Sequence, residues 1–169
     1  MYELIHEDEH LLVVHKPAGW LTIPDRAGNK DSLLGALEKR YGKVFVVHRL
    51  DRETSGILCF ARNAEAHRHL SLQFEHHTAD KYYFALLDGE LHHEEGEIDK
   101  PIGEHPVIPG KMAIVKNGKP SLTFYRVIEP FKRFTLVEVL LKTGRTHQIR
   151  VHFSSIGYAL AVDALYGRR

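Results

Sequence analysis

A chain of 169 residues, 43% apolar and 27% charged, is long enough for one domain with a substantial core. A single cysteine, Cys59, excludes a disulfide framework, and no CxxC spacing marks a metal site. The longest purely apolar run, Tyr82 to Leu87, is too short to cross a bilayer, and residues 1–9 lack a secretory pattern, so a cytoplasmic protein is expected. The net charge of +1 hides an asymmetry: residues 1–110 carry 12 Lys+Arg against 19 Asp+Glu, and residues 111–169 carry 11 against 3. A basic C-terminal third is compatible with a phosphate-facing surface, and equally with two halves that mix and cancel in the fold.

In chain order, Tyr2 to His6 and Leu11 to His15 read as a hairpin around the acidic turn 7–9. Lys16-Pro17-Ala18-Gly19-Trp20 follows as a loop. Ser32 is placed to cap a helix from Leu33 to Arg40 that ends at Gly42. Two β-type runs, Val44 to Val47 and Ile57 to Ala61, flank the polar stretch His48-Arg49-Leu50-Asp51-Arg52-Glu53-Thr54-Ser55-Gly56. One carboxylate thus sits in a short loop between strands, where chemistry is often carried. Taken alone, the same residue types describe an ordinary turn. Asn63 then caps a helix from Ala64 to about Glu75, with Ala66, Leu70 and Phe74 as its apolar stripe. His67 and His69 on that helix point to different faces and read as solvated residues rather than metal ligands.

Asp80 to Gly89 reads as a strand, with either Tyr82 or Tyr83 facing inward. His92 to Gly110 is polar, contains three prolines and reads as an irregular connection with one short strand at most. Ser121 to Ile128 and Phe134 to Leu141 form an antiparallel pair. After Gly144, Thr146 is placed to cap a last helix whose buried face is Ile149, Phe153 and Ile156, ended by Gly157. Strands with about three scattered helices and no regular βαβ alternation predict an α+β fold, a mixed and mostly antiparallel sheet with flanking helices.

His48 to Gly56 resembles the catalytic signature of the RluA-type pseudouridine synthases, His-Arg-Leu-Asp-x-x-Thr-Ser-Gly, at every fixed position. Lys16-Pro-x-Gly19, Lys81-x-Tyr83 and Lys142 to His152 resemble three further elements of that family in the same order, so the resemblance runs from Lys16 to about Gly167. It implies one pseudouridine synthase catalytic domain over residues 1–169, acting on ribosomal or transfer RNA; the sequence is silent on oligomeric state, and a monomer is the default expectation. The family domain continues past the element Asp163-x-x-Tyr166-Gly167, so a C-terminally shortened domain without an S4 module is expected here.

The resemblance implies Asp51 as covalent nucleophile, Tyr83 as the ring on which the extruded base stacks, and Arg150 as the partner that keeps Asp51 ionised. It implies Arg49 as the side chain that fills the gap in the RNA stack. Arg52, Lys81, Arg145 and His147 are the further RNA-binding candidates. Isomerising uridine exchanges no electrons and no phosphoryl group, so neither cofactor nor metal is required. A non-catalytic RNA-binding domain of the same fold is the second hypothesis. A sugar or nucleoside hydrolase is the third, and it would want a pair of carboxylates where Asp51 stands alone but for Glu53.

Overall fold

A computed structural model describes residues 1–25 and 32–167. The chain divides into two compact units, Met1–Ala79 and Asp80–Arg169. Among the described residues, every strand pairing in either unit is antiparallel, and one isolated parallel bridge joins Leu21 to Ser32. With three helices set among these strands, the fold is the expected α+β class.

In the first unit, β1 (Glu3–Glu7) and β2 (Leu11–Lys16) form the expected hairpin. Its turn is held by Asp8, whose Oδ1 accepts the amides of His10 and Leu11 at 2.7 Å each. β3 (Phe45–Val46) and β4 (Gly56–Ala61) complete a sheet of order β1-β2-β4-β3. Alternation along β2 and β4 sends Leu12, Val14, Leu58 and Phe60 inward to zero exposure, as are Leu33 and Leu37 of α1 (Leu33–Tyr41). Each such side chain contributes about 1.5–3 kcal/mol of burial. The Oγ of Ser32 accepts the Gly35 amide at 3.1 Å, and the Oδ1 of Asn63 accepts that of Ala66 at 2.9 Å at the start of α2 (Ala64–Glu75). Both caps stand where the sequence places them. The stripe Ala66, Leu70 and Phe74 is half-buried.

The second unit is built on a sheet of order β5-β10-β9-β6: β5 (Tyr82–Asp88), β6 (Glu95–Asp99), β9 (Leu122–Pro130) and β10 (Phe134–Leu141). β7 (Ile102–Glu104) and β8 (Met112–Ile114) form a small separate hairpin. Ala85, Leu87, Ile98, Val137, Val139 and Leu141 pack with Phe153 of α3 (Gln148–Ser155), and Tyr83, Ile149 and Ile156 lie against that cluster. The period of two therefore resolves the tyrosines: Tyr83 is on the inner face, and Tyr82 is 60% exposed on the outer one.

Two expectations are corrected. Residues 92–110 hold two strands, not one at most. β6 is an edge strand with a single buried side chain, Ile98, and the polar residues of such an edge imitate a loop. Its Gly96 lies under the Tyr125 ring, where a Cβ would come within 2.6 Å of the hydroxyl. The second correction concerns α3. Thr146 does not cap it; His147 takes the cap position in a left-handed conformation, φ 57°, with no side-chain cap bond. Val151 and His152 are buried as well as Phe153, because α3 meets a second small cluster with Ile102 and Tyr166. A helix covered on two sides has no single apolar stripe to read.

Candidate active site

The signature loop of the first unit is a clamped turn. The Thr54 amide donates to the Asp51 carbonyl at 3.1 Å, so Asp51 opens a four-residue turn, a position that favours aspartate. Both chain neighbours of Asp51 are tied down. On one side the Thr22 hydroxyl donates to the Leu50 carbonyl at 2.9 Å, and the Leu50 amide donates to the Thr22 Oγ1 at 3.2 Å. On the other side the Arg52 carbonyl accepts the Gly19 amide at 2.8 Å and the Lys16 ammonium at 3.1 Å. The Arg52 Nε returns a bond to the Gly19 carbonyl at 3.1 Å. Lys16 is fully buried and also donates to the carbonyls of Pro17 and Trp20, at 3.0 and 2.8 Å. Burial pushes its ammonium below the ordinary lysine value, and the charges of Glu53 and Asp51 pull it partly back.

The ends of the loop are equally determined. His48 stacks on Phe74 with ring centroids 4.4 Å apart, and its Nε2 accepts the Cys59 amide at 3.1 Å. Nε2 is thus the acceptor nitrogen, so His48 anchors the loop to β4. Gly56 closes it with φ 146°, a backbone region that side chains rarely enter. Within this frame Asp51 is half-buried, and Arg49, Arg52 and Glu53 are exposed.

The second unit carries the other candidates. Tyr83 is half-buried at the border of the main core. Lys81, one residue before β5, is lowered in pKa first by burial and then by the positive charges of Lys142 and Arg145, so three cations share one neighbourhood. Lys142 has Asp80 at 3.2 Å as a partner, and Arg145 donates from Nε to the Pro120 carbonyl at 3.2 Å. His147 Nδ1 lies within hydrogen-bond distance of the Tyr166 hydroxyl at 2.9 Å, and that hydroxyl also accepts the Met112 amide at 2.8 Å. Arg150 makes a two-pronged pair with Asp163, Nε to Oδ2 at 2.7 Å and Nη2 to Oδ1 at 2.9 Å. Its guanidinium lies over the Tyr166 ring, 4.8 Å from the centroid.

Three positioning side chains escaped the sequence reading. Thr22 carries no local signal, because its partner Leu50 is 28 residues away. Asp163 was legible only as part of an element without a role. Gln148, 2% exposed, has all its amide bonds filled: Oε1 accepts from the Thr143 hydroxyl at 2.8 Å and the Arg145 amide at 2.9 Å. Its Nε2 donates to the Leu122 carbonyl at 3.1 Å and the Thr123 hydroxyl at 2.9 Å.

This architecture and these motifs have counterparts. A model of the RNA pseudouridylate synthase family matches residues 10–155. The chain belongs to that family. It is 43% identical over 172 residues to ribosomal large subunit pseudouridine synthase D of Nitrosomonas europaea, covering 98% of this chain and 50% of that one. It is 39% identical over 171 residues to the dual-specificity RNA pseudouridine synthase RluA of Vibrio parahaemolyticus, covering 97% and 68%. Among solved structures, human RNA pseudouridylate synthase domain containing 1 superposes with a TM-score of 0.87 at 30% identity, over 99% of this chain and 70% of that one. The chain spans about half the length of several curated relatives it matches, 50% and 54% in two cases. Among the described residues, no helix is long and apolar enough to cross a membrane.

Proposed function

We propose that this chain is the catalytic part of an RNA pseudouridine synthase, acting as a monomer in the cytoplasm. One observation carries the reading above others: Asp51 stands in a turn whose neighbours on both sides are locked by hydrogen bonds from distant residues. A binding surface gains nothing from such immobilisation of one carboxylate, whereas a nucleophile does.

In the reaction the bond between uracil N1 and ribose C1′ breaks, the base turns, and a bond from C5 to C1′ forms. C5 loses a proton and N1 gains one, so the step is an isomerisation with no external reactant. Asp51 is the covalent nucleophile. Arg49, exposed at the rim of the loop, fills the gap that the extruded nucleotide leaves in the RNA stack. Tyr83 stacks on the extruded base for about 1–3 kcal/mol. By the family resemblance, Arg150 is the cation that serves the nucleophile. Arg52, Lys81, Arg145 and His147 hold the surrounding RNA, the basic trio of Lys81, Lys142 and Arg145 supplying a seat for a phosphate. The name of one relative points to large-subunit ribosomal RNA as substrate, and that of another to dual RNA specificity, with transfer RNA as the other candidate.

The test is tritium release from transcripts of large-subunit ribosomal RNA and transfer RNA labelled at uridine C5. Release by the wild type that vanishes in Asp51→Ala is the expected result. RNA binding with no release from any transcript would leave a non-catalytic RNA-binding domain, and free uracil would indicate a hydrolase.

A further inference from the structure

We infer that Asp163 is a positioning residue for the reaction: it fixes the plane and direction of the Arg150 guanidinium. The inference rests on the role proposed above for Arg150 in the reaction. Three observations carry it. The pair is two-pronged, with Nε and Nη2 of Arg150 on the two oxygens of Asp163 at 2.7 and 2.9 Å, a geometry that leaves the guanidinium one orientation. The Asp163 side chain is 5% exposed and that of Arg150 is 21% exposed, so water competes little for either. The carboxylate is itself immobilised, because Oδ1 accepts the amides of Leu165 and Tyr166 at 3.0 and 3.1 Å. The Gly167 amide closes the same turn on the Asp163 carbonyl at 2.8 Å.

The Tyr166 ring lies under the guanidinium and blocks rotation out of this plane. Tyr166 is in turn held by Met112 and His147 through its hydroxyl. The turn at 163–167 therefore acts as a mount for one arginine. Burial alone would raise the Asp163 carboxyl, yet the bonds from Arg150 and the two amides outweigh it and keep the group below its ordinary value. Asp163 is therefore anionic at neutral pH, and so holds Arg150 throughout a turnover.

A purely structural Asp163 would tie the turn to α3 and nothing more. The two roles separate by experiment. Asp163→Asn keeps an oxygen for the two amides and loses the anion; Asp163→Glu keeps the anion and displaces it by one methylene. Single-turnover tritium release, RNA affinity and thermal melting are measured for both on the same labelled transcripts. The expected result is a rate about 10²-fold slower with RNA affinity unchanged, the size expected when a reacting group is misplaced by about 1 Å. In Arg150→Ala, guanidinium chloride at millimolar concentration is expected to restore release, and in Arg150→Ala/Asp163→Asn it is expected not to. Wild-type rates in a folded Asp163 variant, or equal rescue with and without Asp163, overturn the inference. Undiminished release in Asp51→Ala or Arg150→Ala would instead overturn the functional reading beneath it.

Discussion

The Lys16 ammonium donates to the Arg52 carbonyl at 3.1 Å across 36 residues of sequence. One buried cation thereby ties the end of β2 to the residue that follows Asp51. Its two other acceptors, the carbonyls of Pro17 and Trp20, fold the Lys-Pro-Ala-Gly-Trp loop around it. The ammonium replaces water with three oriented carbonyl dipoles, which is how a buried charge without a contacting carboxylate is tolerated.

Replacing Lys16 with Met keeps the volume and removes the donor. Hydrogen bonds from a charged donor contribute about 1.5–3 kcal/mol each, and the relieved burial of charge offsets part of their loss, so Lys16→Met is expected to destabilise the protein by about 3 kcal/mol. At 169 residues this lowers the melting temperature by about 6–12 °C. The rate of tritium release falls in the folded variant at low temperature, while RNA affinity changes little. An unaltered rate would show that the Asp51 turn holds without its clamp.

Gln148 predicts a stability effect separate from chemistry. Gln148→Leu leaves the Arg145 amide and the Thr143 hydroxyl without their buried acceptor, and leaves the Leu122 carbonyl with the Lys142 amide alone. A buried polar group stripped of its partner costs about 1–3 kcal/mol, so a loss of about 3–5 kcal/mol is expected in denaturant unfolding. A loss below about 1 kcal/mol would show that these groups find other partners.

The cations at Lys81, Lys142 and Arg145 predict a salt dependence. If they seat a phosphate, Lys142→Ala weakens RNA binding and reduces the slope of log K against log salt by about 1, uniformly across RNA sequences. An unchanged slope would remove this cluster from the RNA surface. Lys142 would then be a partner of Asp80, 3.2 Å away, with no part in RNA binding.

His152 predicts an acid sensitivity of the fold. It is fully buried; its Nε2 donates to the Lys100 carbonyl at 3.0 Å, so Nδ1 accepts from the Thr123 hydroxyl at 2.9 Å. Burial lowers its pKa below 6.5, with the Lys100 charge adding to this and the Lys100 carbonyl and Asp99 opposing it. Below pH 6.5 the unfolded chain takes up a proton that the folded chain resists. Stability is therefore complete above pH 6.5 and declines as pH falls from 6.5 toward the folded pKa. Melting temperatures between pH 7.5 and 5.5 should fall more steeply for the wild type than for His152→Gln. Parallel curves would show that His152 does not carry the effect.

Sequence alone determined the local elements and the chemistry of the motifs. Ser32, Asn63, Gly56 and the alternation of β2, β4, β5 and β10 act within a few residues, so their effect is legible along the chain. The four motif elements likewise marked the family, because their residue types and order are specific. Tertiary structure alone decided which groups hold those motifs. Thr22 on Leu50, Lys16 on Arg52, Gln148 on Leu122 and Thr123, and Asp163 on Arg150 are contacts between residues 13 to 36 positions apart. No local propensity or period encodes such pairs. The same reason hid β6 and the second buried side of α3: a polar edge strand and a helix packed on two sides take their character from neighbours remote in the chain.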